Sequence, residues 1–75
     1  MTYKPAHICM NAFDKDECYT DHPDMIVGWT VYSRSDPEVE PFETGDEKDF
    51  TTYENARAYA MNLCTAYGIT DLREF

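Results

Sequence analysis

Positive charge is scarce in this 75-residue sequence, where 6 Lys and Arg stand against 15 Asp and Glu and leave a net charge of -9 at pH 7. A chain so charged repels phosphates, which excludes nucleic acid and anionic membranes as ligands held directly by charge. Glycine is also rare, at 3 residues, and none falls in a G-x-x-x-x-G-K-[ST] or G-x-G-x-x-G pattern, so no loop is built to cradle a nucleotide. No apolar stretch approaches the ~18 residues of a membrane span. Lys4, Pro5, His7, Asn11, Asp14 and Lys15 interrupt the start of the chain, so no signal segment is expected and the protein reads as cytoplasmic. Cys9, Cys18 and Cys64 are odd in number and lack a C-x-x-C pair, which argues for reduced thiols rather than a disulfide framework.

At 43% hydrophobic residues the chain has the apolar material for one folded domain, 1–75, and none to spare. A domain of this size buries roughly 60% of the surface its unfolded chain exposes, leaving little depth for an enclosed active site. The expectation is therefore a binding surface, with neither enzymatic activity nor a cofactor.

The charge is regional. Residues 14–49 carry 12 acids (Asp14, Asp16, Glu17, Asp21, Asp24, Asp36, Glu38, Glu40, Glu43, Asp46, Glu47, Asp49) against Lys15, Arg34 and Lys48, which accounts for the whole net charge of -9. Within this region Met25 to Arg34 alternates, Met25, Val27, Trp29 and Val31 on one parity and Ile26, Gly28, Thr30 and Tyr32 on the other, which predicts a central strand. Ser35 to Glu38 supplies a turn around Pro37. Val39 to Thr44 is predicted to return as a second strand, confined to an edge or a bulge by Pro41, which lacks a ladder donor. Ala6 to Phe13 alternates as a further strand.

A helix is predicted from about Thr52 to Tyr67. Thr51 and Glu54 fit a T-x-x-E capping box, Gly68 sits where a left-handed residue ends a helix, and Tyr53, Ala56, Ala60, Leu63 and Tyr67 form an apolar stripe widened by Tyr59 and Cys64. Ile69 to Phe75 offers a last short strand. The fold class is α+β: a small antiparallel sheet of three to four strands covered by one helix in the C-terminal half.

Few constellations carry chemistry. His7, Cys9, Cys18 and His22 are zinc-type ligands, but H-x-C-x8-C-x3-H matches no short-pair finger, and ordinary strand and loop residues account for the same letters. Cys18 and His22 are the one close thiol–base pair, set in an acidic loop without the cations that activate a thiol. Asp14, Asp16 and Asp24 miss the calcium-loop spacing. No metal site is expected.

The acid cluster has two readings: a solvated face that prevents self-association, or an electrostatic decoy. Asp36, Glu38 and Glu40, two residues apart, face one way at about 7 Å intervals on an extended chain, and Glu43, Asp46, Glu47 and Asp49 continue the negative surface. Such a row fits a basic groove built for phosphates. Tyr19, Trp29, Tyr32 and Phe42 lie among these acids, and aromatic residues beside charge are a usual interface mixture. Trp29 reads as core. The candidate partner-binding set is Asp36, Glu38, Glu40, Glu43, Asp46, Glu47, Asp49 and Tyr32.

A very short acidic chain with a strand hairpin (Met25 to Thr44), a T-x-x-E-x-A helix start (Thr51, Glu54, Ala56) and a terminal strand resembles the small phage-encoded inhibitors, in particular the anti-CRISPR proteins. The resemblance implies a stoichiometric inhibitor in the host cytoplasm that binds a CRISPR effector complex and blocks nucleic-acid binding or cleavage. It assigns no individual residue. The alternatives are an inhibitor or accessory module of another basic host enzyme of restriction, repair or transcription, and a small metal-binding domain.

Overall fold

The structure is a computed structural model in which residues 5–35 and 44–74 are described. Strand β1 spans His7–Phe13, a 3₁₀ turn Pro23–Met25, β2 Gly28–Arg34, β3 Thr44–Phe50, helix α1 Tyr53–Tyr67 and β4 Leu72–Glu74. The four strands form one sheet in the order β3-β2-β1-β4, with α1 packed on one face. This is the expected α+β architecture, with β1 and β2 as its inner strands.

β1, β2 and β3 pair antiparallel, but β4 runs parallel to β1 with Ile8 opposite Leu72. The sheet is therefore mixed. The 15 residues of α1 rise about 22 Å, close to the length of a seven-residue strand. The helix thus returns the chain to the end of the sheet where β1 and β3 begin, and the next strand must point the same way as both.

Two strand boundaries differ from expectation. Met25 does not open β2, because Pro23 starts a 3₁₀ turn in which the Met25 N–H donates to the His22 carbonyl (2.9 Å). The ladder begins at Gly28, where a Cβ would stand 2.5 Å from Phe13 Cζ and 2.6 Å from the Phe50 carbonyl oxygen. The inner strand there passes too close to its neighbours for a side chain. The strand expected over Val39 to Thr44 overlaps the observed edge strand at Thr44 alone; 39–43, including Pro41, lie outside the described residues.

Helix α1 starts one residue later than the capping box implies. Thr52, not Thr51, is the N-cap, its hydroxyl accepting the Asn55 N–H at 3.3 Å. Glu54 falls in the first turn, where its charge meets the positive end of the helix dipole. The C-terminal end follows the sequence reading: Gly68 is left-handed (φ 69°), its N–H donates to the Thr65 carbonyl, and the Ile69 N–H donates to Cys64 at 2.8 Å. Those two bonds satisfy carbonyls the helix leaves open.

The core joins Ile8, Met10 and Val31 of the sheet to Ala56, Ala60 and Cys64 of the helix. The small helix residues recur every four positions, so the helix lies close to the sheet and the larger Trp29, Phe50, Tyr59, Leu63, Ile69 and Leu72 close the rim. Tyr53 and Tyr67, the ends of the predicted stripe, are exposed and reach past the core. The Tyr53 hydroxyl donates to Glu74 at 2.5 Å and its ring meets Trp29 edge-on, while the Tyr67 hydroxyl donates to Asp46 at 2.7 Å.

Candidate functional site

The face of the sheet opposite α1 carries most of the side chains that chemistry can use. Parity fixes its membership: Asn11 pairs with Thr30, Thr30 with Asp49 and Cys9 with Tyr32, and side chains directly opposite one another share a face. On β3 a bulge refines the pattern. Between Val31 and Ser33 the register slips by one residue on β3, and Asp46 adopts a positive φ of 56°, which Asp tolerates better than most residues.

Alternation along β3 divides the predicted acidic set. Asp46 joins the helix side, where its Oδ2 accepts the Ser33 hydroxyl (2.8 Å) and the Tyr67 hydroxyl (2.7 Å), and its backbone oxygen accepts the Tyr59 hydroxyl (3.0 Å). Lys48 follows it, with Nζ 5.6 Å from the centres of both the Phe50 and Tyr59 rings. Glu47 and Asp49 stay on the outer face with Tyr32 and Thr30. The single base of β3 is thereby removed from the face that keeps the two acids. Asp36, Glu38, Glu40 and Glu43 lie outside the described residues.

The loop after β1 completes the face. Asp14 Oδ1 accepts the N–H groups of Asp16 (2.8 Å) and Cys18 (3.1 Å), and the Glu17 N–H donates to the Asp14 carbonyl (3.0 Å). This tight turn, with Glu17 at φ 62°, folds the chain back so that Tyr19 bridges Phe13 and the Thr20 N–H donates to the Ala12 carbonyl. Tyr19 is 65% exposed and stands between shallow cavities. One of about 230 Å³ is lined by Phe13, Glu17, Tyr19, Thr30, Glu47 and Asp49. A second of about 380 Å³ includes Asn11, Asp21 and His22, and a third of about 250 Å³ includes Tyr32, Arg34 and Glu47.

Glu17, Tyr19, Phe13, Thr30 and Asn11 are absent from the sequence-predicted set. Glu17 and Tyr19 were visible as an acid and an aromatic in the charged region, and the D-x-D-E run signals a turn. Their meeting with β3 spans some thirty positions of the chain, which no local pattern encodes.

Electrostatics grade along the face. Thr30 Oγ1 donates to Asp49 Oδ1 at 2.7 Å, holding that carboxylate in place. Tyr32 is pushed up to about 12, mainly by burial and then by the Cys9 thiol beside it. At the far end His7 Nδ1 donates to Asp71 Oδ2 at 2.8 Å, joined by Arg73 at 3.3 Å. The hydrogen bond from Arg73, then that from His7, holds the Asp71 carboxyl below the usual carboxylate range. Two buried polar atoms, Asn11 Oδ1 and Arg34 Nε, have no hydrogen-bond partner among the described residues.

The zinc-type residues do not assemble. Cys9 is fully buried, Cys18 and His22 lie on the exposed loop, and His7 is engaged by Asp71. Among the described residues no group of three or more His, Cys, Asp or Glu could hold a metal ion, and no helix is long and apolar enough to cross a membrane. No protein-family model, curated protein or solved structure matches this chain.

Proposed function

We propose that this protein is a non-enzymatic inhibitor acting in the host cytoplasm. Its acidic outer face occupies a basic surface that a nucleic-acid-handling protein keeps for phosphates. The anti-CRISPR resemblance makes a CRISPR effector complex the first partner class, with another basic enzyme of restriction, repair or transcription as the alternative. The observation that carries the reading is the sorting of β3: Glu47 and Asp49 share one face with Glu17 and two aromatic rings, while Lys48 is held on the other. A predominantly acidic surface with aromatic residues beside it speeds encounter with a basic partner and selects it.

The test is competition. Guide-loaded effector complexes, and a parallel panel of restriction, repair and transcription enzymes, are assayed for binding to labelled target DNA with and without the protein. Inhibition of an effector that weakens as salt rises supports the first reading, and inhibition confined to the panel supports the alternative. The double reversal Glu17→Lys/Glu47→Lys should abolish inhibition, while Asp24→Lys/Glu54→Lys, which makes the same charge change elsewhere, should retain it. Equal loss in both doubles, or no inhibition of any enzyme, overturns the proposal.

A further inference from the structure

The two edges of the sheet are finished differently. Edge strand β3 is bulged and sets Asp46, Glu47 and Asp49 against Lys48 alone, so it repels a second copy of itself. Edge strand β4 is regular, and its charges are of both signs. Among the described residues it pairs with β1 only, and beside it, between α1 and the sheet, runs an apolar groove of about 450 Å³ lined by Met61, Cys64, Ile69 and Leu72. Met61 is 43% exposed.

The ladder fixes which groups this edge offers. The Ile8 N–H donates to the Asp71 carbonyl (3.3 Å) and Ile8 stands opposite Leu72, which in a parallel pair turns the backbone of residues 71 and 73 toward β1 and that of Leu72 outward. The Leu72 side chain packs on the helix side, leaving Asp71 and Arg73 on the outer face. Both side chains have capacity to spare. The bonds from His7 and Arg73 all end on Asp71 Oδ2, so among the described residues Oδ1 is open, while Arg73 uses two of its five N–H donors.

We propose that a second copy of this chain docks on this edge, β4 against β4, antiparallel about a two-fold axis at Leu72. Leu72 then exchanges both backbone hydrogen bonds with its counterpart, and Arg73 of each copy stands opposite Asp71 of the other at the closely spaced position. The symmetry makes that pairing occur twice. Each guanidinium reaches an open Oδ1 across the seam, and opposite charges so placed stabilise the pair. On the other face Leu72 and Met61 of the two copies close the groove. A register centred on Arg73 fails twice, because its backbone groups face β1 and like charges would meet. The charge distribution permits the approach: the excess of acid lies in residues 14–49, whereas 53–74 hold Glu54, Asp71 and Glu74 against Arg57 and Arg73. The join leaves Glu47 and Asp49 of both copies uncovered, so it stands independently of the inhibitor reading.

Sedimentation of the full chain tests it. The mass should rise from one chain to two over about 1 µM to about 1 mM, with the Leu72 amide becoming slow to exchange with solvent over the same range. Asp71→Arg and Arg73→Asp, each checked for folding by circular dichroism, should both stay at single-chain mass, because each sets like charges across the seam. An equimolar mixture of the two should regain the double mass, since opposite charges then face each other at both positions. Met61→Lys, at an exposed helix position, should weaken association at least about tenfold and serves should either strand variant misfold. Single-chain mass of the parent at the highest concentration, parent-like association of Met61→Lys or of either folded reversal, or a mixture of folded reversals that fails to pair overturns the proposal. So does a dimer whose newly protected amides lie on β3.

Discussion

The helix-covered face of the sheet holds Ile8 and Val31 at 0% exposure and Met10 at 2%, whereas the opposite face presents Asn11, Thr30, Tyr32, Glu47 and Asp49 around an exposed Tyr19. The same strands supply both. On the first face Ile8, Met10 and Val31 pack against three small helix residues, and the polar groups at its edge, Ser33 and Asp46, bond to each other. On the second, a loop rather than a helix lies over part of the sheet, so polar groups survive there and some are left without partners. The apolar core and the acid-bearing surface are thereby separated by strand parity, so in a chain this short the outer face can change with little effect on the core.

Four measurements would sharpen or break this contrast. The largest effect is expected on the covered face, where Ile8→Ala should lower unfolding free energy by about 2–5 kcal/mol in chemical denaturation, because it opens a cavity in a small core. A loss under ~1 kcal/mol would mean the helix does not seal that face. Next comes Gly28→Ala, at the start of β2 opposite Phe13, expected to cost about 1–3 kcal/mol because its new methyl meets the Phe50 backbone carbonyl as well as the Phe13 ring.

Smaller and confined to high pH is the effect of Tyr32→Phe. Folded Tyr32 keeps its proton to about 12 against an ordinary value of 10.0, so between these values the unfolded state binds fewer protons than the native one. The contribution is complete below pH 10, declines as pH rises and is lost above about 12. Thermal melts of the Phe variant across this window should fall less steeply than those of the parent. The smallest effect is expected for Glu47→Gln on the outer face, within about 0.5 kcal/mol of the parent stability even though it weakens the inhibition proposed above. A large destabilisation by that variant would show that the outer face also serves the fold.

Legibility in the sequence followed the strength of local patterns. β1, much of β2 and α1 were readable because alternation, a helical stripe and Gly68 each act over a few residues. β3 was not, since T-G-D-E-K-D-F has Phe50 as its one large apolar residue and resembles a charged loop. The cap moved from Thr51 to Thr52 because both threonines suit the position, and tertiary packing sets where the first turn begins. Of the predicted binding residues that are described, Tyr32, Glu47 and Asp49 do share a face, while Asp46 stands apart because it has the parity of Lys48 and Phe50 on β3.

By itself, then, the sequence determined the charge, its concentration in residues 14–49, the helix and its C-terminal stop, and the alternation of the inner strands, since each is a property of composition or of neighbours within a turn or a strand. Tertiary structure alone decided that β4 returns parallel to β1, that the register of β3 turns Asp46 and Lys48 to the helix and leaves Glu47 and Asp49 outside, and that Glu17 and Tyr19 meet them across the sheet. These outcomes depend on the length of a crossover helix and on pairing between distant segments, where a shift of one residue exchanges the two faces.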